Sequence, residues 1–450
     1  MRSAVEAWRA SVPDQPAPFA AASAATSAYL VRGEELLAGL PPARERGAAE
    51  ADTAALLREG LDAERARFLR AHIEDVYTAL TDDLRLAVRD EALVYDAAER
   101  FPGLVPTRAQ VAEERRRSLP DKTGVELAQG IFLSFVLASP RCGAHLVWSM
   151  LRPTNEALAR LDDFRATGVA DLGHTYLERR GPVAYIEIRN ERHLNAEDCV
   201  TLPTTEVAVD LALLDPEIEV GVIRGAVVDH PRYAGRRIFG AGLNLTHLYH
   251  GSLDFMFFVT RDLGYVNKLF RGLSAPVHHP GEPEDTTEKL WIAAVETFAI
   301  GGACQLLHTV DHVVATRGTR LYLPARKEGI LPGASNLRLA RSVGDRLARR
   351  AILSGLEFVA GTPDGDLLCD EVVGSTEEMD AAVAARVETL TSSGLVNAAG
   401  NRRALRVGAE PLDLFRRYMA TFCREQAYCY LSPALVSNLE EHWNAHERRL

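Results

Sequence analysis

The sequence predicts an α/β protein whose sheet-bearing core lies between a helical N-terminal region and a helical C-terminal region. Two patterns carry that expectation. Apolar residues recur at helical spacing between 52 and 149 and again beyond Gly374, whereas from about 176 to 375 short β-branched runs alternate with helical ones. Such alternation is the pattern of a sheet covered by helices. The 450-residue chain is accordingly read as three regions: helical 1–175, α/β 176–375, and helical 376–450, the last a candidate oligomerisation region.

Residues 1 to about 50 are rich in Ala and Pro and are expected to begin irregularly. Residues 52–80 read as an amphipathic helix with Leu56, Leu57, Leu61, Phe68 and Ile73 on one side. Helical patterns continue over 83–99 and, past a loop at 101–107, over 122–149. Strands are expected at 176–189, 219–224, 291–300, 312–316 and 320–324, where β-branched runs are bounded by Gly, Pro, Asp or Asn. Helices are expected between them at 200–214, 253–273 and 303–310. The stretch 276–288 is a polar, proline-bearing loop, and 376–395 and 412–428 are the best C-terminal helices.

Composition narrows the function. A net charge of -11 argues against a nucleic-acid partner, because phosphate backbones are bound by basic surfaces. The most apolar run, 131–138, is far short of the ~20 residues that span a bilayer, so no membrane partner is expected. The cysteines at 142, 199, 304, 369, 423 and 429 form no CxxC pair, which points away from zinc and from a disulfide framework. The N-terminus, with Arg2, Glu6 and Arg9 ahead of an Ala/Pro-rich stretch, lacks the apolar core of a secretory signal. A cytoplasmic location is expected.

Two glycine-bearing stretches carry the chemistry: Ile238-Phe239-Gly240-Ala241-Gly242-Leu243-Asn244-Leu245 and Phe298-Ala299-Ile300-Gly301-Gly302-Ala303-Cys304-Gln305. In the second, glycines follow an apolar strand and open a helix, so backbone can approach a ligand and unpaired N–H groups can face it. Two such donors converging on one oxygen make an oxyanion hole. Either stretch alone could equally be a tight turn with close strand-to-helix packing.

In this order along the chain, the two stretches resemble the paired signatures of the crotonase superfamily, in which one loop reads roughly F-x-A-G-x-D and the next A-x-G-G-G-x-E. Asn190-Glu191-Arg192-His193-Leu194-Asn195-Ala196 and the run from Asp311 to Pro324 are similar to two further motifs of that family. The resemblance covers roughly 176–375 and implies a crotonase-like core of ββα repeats. By motif position, it implies that Leu243 and Gly302 supply the backbone N–H groups that hold a thioester oxygen. Hydratases of the family carry a glutamate where this chain has Gln305, an amide that cannot shuttle protons. The family's acidic residue in the first loop is Asn244, and the third glycine of the second is Ala303.

The long helical extension, G-G-A-C-Q and the run from Leu323 to Ala334 resemble one branch in particular, the dioxygenases of 3,5-dihydroxyphenylacetyl-CoA in glycopeptide-antibiotic biosynthesis. That resemblance implies substrates 3,5-dihydroxyphenylacetyl-CoA and O2, products 3,5-dihydroxyphenylglyoxylate and coenzyme A, no metal or other cofactor, and a homotrimer or homohexamer. An enolate held at Leu243 and Gly302 would reduce O2 in an apolar pocket, with Ile300, Leu243 and Ile330 as candidate walls. Glu197, Arg261, His230 and Gln305 are the polar candidates for binding the ring hydroxyls and steering the oxygenated intermediate. A solvated carboxylate, a surface arginine or a loop histidine would look the same in sequence at the first three. Arg192, Arg236 and Arg237 flank the motifs and are candidates for the phosphates of coenzyme A.

Other readings stay open at this point. His247 and His250 are three apart, and His308 and His312 four apart on an expected helix, but neither pair forms HExxH and no third ligand is evident. No metal is expected. A thioester hydrolase or isomerase would use the same oxyanion hole, and a non-catalytic acyl-CoA-binding relative would lack one of its glycines.

Overall fold

The computed structural model describes residues 2–14, 18–42, 45–279, 285–392 and 394–449. The chain forms two compact units. One comprises Met1–Ser149, Tyr249–Met256 and Phe415–Val436; the other comprises Met150–Leu248, Phe257–Leu414 and Ser437–Leu450. These divisions differ from three consecutive regions. The helix Asn155–Thr167 belongs with the sheet because it sends Ala157 and Phe164 into the same apolar core as Leu177, Val207 and Leu211. The C-terminal region is shared out between the units rather than standing apart.

The first unit is helical, as expected, but its start is ordered: helices Arg2–Ala10 and Phe19–Ala38 precede Ala48–Leu80. Alanine is the best helix former, and prolines break the helical pattern only at 13 to 18 and at 41 and 42. Trp8 is buried against Gly33 and Gly60 and stacks on Tyr29, which gives these short helices an apolar anchor. The expected helix 122–149 is two, Leu127–Ala138 and Pro140–Met150, divided ahead of Pro140. The apolar run lies buried in the former. Among the described residues no single helix is long and apolar enough to cross a membrane.

The second unit is built on strands β1 (Val169–Asp171), β2 (Thr175–Arg180), β3 (Val183–Ile188), β4 (Val220–Gly225), β5 (Leu273–Ser274), β6 (Thr286–Thr287), β7 (Leu290–Val295), β8 (Phe298–Ile300), β9 (His312–Thr316), β10 (Arg320–Tyr322), β11 (Phe358–Val359) and β12 (Glu371–Val373). The main sheet runs β1-β2-β3-β4-β7-β9-β12, antiparallel through β3 and parallel thereafter. A smaller sheet runs β11-β10-β8, with β10 parallel to β8. Every residue of β7 is buried, as both faces of a parallel sheet must be when helices cover them. The expected strand 176–189 is the hairpin β2–β3 about Gly181 and Pro182, and 291–300 splits at Thr297, whose φ is +64°. Gly264 likewise separates the helices Phe255–Leu263 and Tyr265–Arg271. Within the loop expected at 276–288, residues 280–284 lie outside the described residues, and β6 follows them.

Buried carboxylates pin the helices beyond the sheet. Glu288 takes Arg402 and Arg406, and Glu410 takes Arg271, Arg338 and Arg341 at 3.1, 2.9 and 2.8 Å. Burial would raise the Glu410 carboxyl, but the guanidiniums, Arg338 foremost, bring it down from 4.5 to about 2. A depressed carboxyl stabilises the fold above its unfolded value and loses that contribution as pH falls through the folded one. Acid titration of the folded protein is therefore expected to cost about 3 kcal/mol through this group alone. Glu410→Gln should lose most of that acid sensitivity between pH 4.5 and 2, as read by melting temperature.

Candidate active site

The turn after β3 delivers the first polar residue of the site. Asn190 donates through Nδ2 to Ala196 O and Asp198 Oδ2 at 2.8 and 3.0 Å, and its N–H donates to Asn195 Oδ1 at 2.9 Å. Asn195 in turn donates to Ala226 O and Ile238 O at 2.9 and 2.8 Å. Leu194 and Asn195 both have positive φ, a local conformation that this lattice of amide bonds holds in place. Glu197 then pairs with the first glycine loop: its N–H donates to Gly242 O at 2.7 Å and its carbonyl accepts Asn244 N–H at 2.8 Å. Asn244, in the place of an acid, binds Asp198 Oδ2 at 3.1 Å and accepts His247 N–H at 3.2 Å, so its role here is to shape the loop.

The two glycine loops lie side by side. Ile300 N–H donates to Gly240 O at 3.0 Å. Gly242 has φ +78°, and a Cβ there would stand 2.6 Å from Ile300 O and 3.0 Å from Gly302 N. Only glycine permits that approach. Gly302 opens the helix Gly302–Leu306, and among the described residues neither its N–H nor that of Leu243 donates to a backbone carbonyl. Two uncommitted donors on adjoining loops are what an oxyanion hole requires.

Beneath Gly302 lies a buried polar network. Arg261 grips Glu197 with Nε at 2.5 Å from Oε2 and Nη2 at 3.0 Å from Oε1, and Nη2 also donates to Gly302 O at 2.8 Å. Its Nη1 donates to Gln305 Oε1 at 2.8 Å and to Asp262 Oδ1 at 3.1 Å. Tyr265 OH donates to Glu197 Oε1 at 2.7 Å. Burial acts to lower the Arg261 guanidinium, but the Glu197 carboxylate overrides it and holds the pKa above its ordinary value. Burial raises both the Asp262 carboxyl and, strongly, the Tyr265 phenol. The network is thus a fixed positive charge with its counter-ions, held directly against the second loop.

On the outer side of the loops is a cavity of about 400 Å³ lined by Leu243, Ile300, Tyr233, Tyr322, His230 and Arg192. Arg232, Arg320 and Arg448 also line it, which makes the cavity cationic. Arg320 is paired with Glu357 at 2.6 Å.

The sequence-named residues therefore fall into groups. Glu197, Arg261, Gln305 and Gly302 meet in the network, while Leu243, Ile300, His230 and Arg192 meet in the cavity. The remaining named residues stand elsewhere. Arg237 is committed to Glu187 at 2.6 Å and to Gly225 O at 2.9 Å, so it braces strands rather than facing a ligand. Arg236 is exposed and does not line the cavity. Ile330 lines a separate groove with Ala325 and Pro332. His308 and His312 do not share a helix face, because the helix ends at Leu306 and His312 begins β9. Among the described residues no group of three or more His, Cys, Asp or Glu is arranged to hold a metal.

Sequence reasoning missed Asp262, Tyr265 and the cavity arginines 232, 320 and 448. A signal existed for two of them. An Arg-Asp pair inside the apolar stretch Phe255 to Val266 is costly unless satisfied, and Tyr265 stands four residues from Arg261, the spacing of one helix face.

The chain belongs to the enoyl-CoA hydratase/isomerase family, whose model matches residues 282–411. Among its relatives is a (3,5-dihydroxyphenyl)acetyl-CoA 1,2-dioxygenase from Amycolatopsis orientalis, 46% identical over 397 residues, covering 88% of this chain and 90% of that one. A short-chain-enoyl-CoA hydratase from Clostridium acetobutylicum is 28% identical over 214 residues, 47% of this chain and 73% of the relative. The crystal structure of an enoyl-CoA hydratase from Mycobacterium avium subsp. paratuberculosis K-10 matches with a TM-score of 0.49 at 20% identity, over 60% of this chain and 98% of that one.

Proposed function

We infer that the protein is a dioxygenase that converts 3,5-dihydroxyphenylacetyl-CoA and O2 to 3,5-dihydroxyphenylglyoxylate and free coenzyme A. The observation that carries the reading is the 46% identity, along nearly the whole chain, to a relative named for that substrate. The site supports it. Leu243 and Gly302 N–H groups bind the thioester oxygen and stabilise the enolate, each donor being typically worth about 3 kcal/mol in the transition state. With Gln305 in place of a proton-shuttling glutamate, water addition has no acid–base partner there, and the enolate is left to react with O2.

The network supplies the ring and intermediate contacts. Gln305 Oε1 is taken by Arg261, which turns its amide N–H2 to a ligand oxygen. Glu197 Oε2 accepts one hydrogen bond, from Arg261 Nε, and a carboxylate oxygen can take a second from a ring hydroxyl. Arg261 offsets negative charge built up during oxygenation, and Ile300 and Leu243 give the cavity an apolar wall against water. Arg192, Arg232, Arg320 and Arg448, with His230 at the same cavity, suit the phosphates of coenzyme A. In this reading the enzyme needs neither metal nor organic cofactor, and works in the cytoplasm as a homotrimer or homohexamer serving antibiotic biosynthesis.

The test is oxygen consumption by metal-stripped protein with chelator present, with released thiol followed in parallel. One O2 consumed per thiol released is expected. Thiol release without oxygen uptake would replace the dioxygenase by a thioester hydrolase of the same family.

A further inference from the structure

Enolate formation needs an acceptor for the α-proton, and the network beneath Gly302 offers none. Both Glu197 oxygens are engaged by Arg261, with Tyr265 OH on one of them, and Asp262 shares the same guanidinium. Carboxylates paired in this way are weak bases. An amide such as Gln305 cannot accept a proton at neutral pH. His230 Nδ1 accepts Arg232 N–H at 3.2 Å in the outer cavity.

Glu328 is different. It ends the helix Ala325–Glu328 and is 7% exposed, and its carboxyl has no hydrogen bond or ion pair to a described residue. Its Oε1 stands 3.9 Å from the point where a Cβ on Gly301 would lie, a point itself 3.7 Å from Gly242 Cα. The carboxyl therefore faces the seam where the two oxyanion loops meet. Burial, with no partner to oppose it, lifts the carboxyl from 4.5 to about 7, where a base is matched to neutral pH. The ionisable neighbour is Tyr322, whose phenol is raised by burial, with Glu328 among the charges acting on it.

We propose that Glu328 is the general base that removes the α-proton of the thioester. The proposal rests on the enolate chemistry inferred above. Glu328 Oε takes the proton, the C–H electron pair moves into the adjoining C–C bond, and the carbonyl becomes the oxyanion held by Leu243 and Gly302. O2 then takes electrons from the enolate. It bonds to the α-carbon as a peroxide, whose outer oxygen attacks the thioester carbon; as the C–S bond breaks, the proton on Glu328 passes to the departing sulfur and the carboxylate is restored. The second α-hydrogen then leaves as a proton to that carboxylate and on to solvent, its electron pair forming the ketone C=O while the O–O bond breaks and leaves the other oxygen as the product carboxylate.

The decisive experiment is exchange of the α-hydrogens of 3,5-dihydroxyphenylacetyl-CoA in heavy water without oxygen, beside aerobic oxygen uptake. Glu328→Gln is expected to slow both by 10²-fold or more, within the usual range for losing a general base, with thioester affinity unchanged. It should melt no lower than the wild type, since an amide replaces a buried acid, and should lack the limb near pH 7 in kcat/KM. Exchange at the wild-type rate in Glu328→Gln would overturn the proposal and leave the dioxygenase standing. If Glu328→Gln does not fold, Glu328→Ala decides: return of exchange with added formate supports the base, and its absence refutes it. Wild-type exchange without oxygen uptake would sink the dioxygenase reading, with Glu328 still judged by exchange. No exchange in the wild type would overturn the proposal, and absence of oxygen uptake as well would overturn the dioxygenase reading with it.

Discussion

Gly242→Ala is expected to lower kcat on the thioester by about 10²–10³-fold, the usual cost of losing one oxyanion donor. The residue has φ +78°, where an L side chain is strained, and the added Cβ would meet Ile300 O at 2.6 Å and Gly302 N at 3.0 Å. Neither neighbour is the end of a flexible chain. Relief must come from moving the loops apart, which separates the Leu243 and Gly302 N–H groups. Because the effect falls on a contact made best in the transition state, kcat should drop with little change in KM. A Gly240→Ala control probes a different kind of crowding, since its Cβ would meet the Ala303 methyl at 2.8 Å rather than the donors. Steady-state kinetics of both variants make the comparison.

Arg261→Ala is expected to destabilise the protein by about 3–5 kcal/mol, the range seen when one partner of a buried ion pair is removed. Arg261 is 4% exposed and Glu197 7%, and removing the guanidinium strands Glu197 with only Tyr265 OH and takes a partner from Asp262. The network is also tied to the second loop through Gly302 O, so activity should fall with stability. Combining Arg261→Met with Glu197→Gln separates the two effects. Removing both charges should restore most of the melting temperature while leaving the enzyme inactive. A double variant as unstable as Arg261→Ala would mean that the pair is not the source of the penalty.

What could be read from the sequence follows from where backbone chemistry constrains residue type. Gly240 and Gly242 were legible because close approach of the two loops leaves no room for a side chain, Gly301 because its φ of +52° favours glycine, and Gly302 because a Cβ would stand 2.5 Å from Glu197 Oε2. Gln305 was legible because it stands where its family carries an acid. Arg261 was named, but its environment was not, because the pairing with Glu197 spans 64 positions and no local pattern announces it. The same distance problem explains Arg237: position beside a motif suggested a ligand, whereas Glu187, 50 residues away, claims it. Glu328 follows Arg326 and Lys327 and reads as part of a solvated charged turn; only packing in three dimensions buries it. Strand and helix breaks at Thr297, Gly264 and Pro140 were blurred because apolar periodicity runs through them, and one residue decides each break.

The most direct measurement is the fate of heavy-isotope O2 in the product. The account predicts that one 3,5-dihydroxyphenylglyoxylate molecule carries both atoms of a single O2, one on the former α-carbon and one on the former thioester carbon, with chelator present throughout. A product in which the carboxylate oxygen comes from water would contradict it, and would make thioester hydrolysis a separate step from oxygenation.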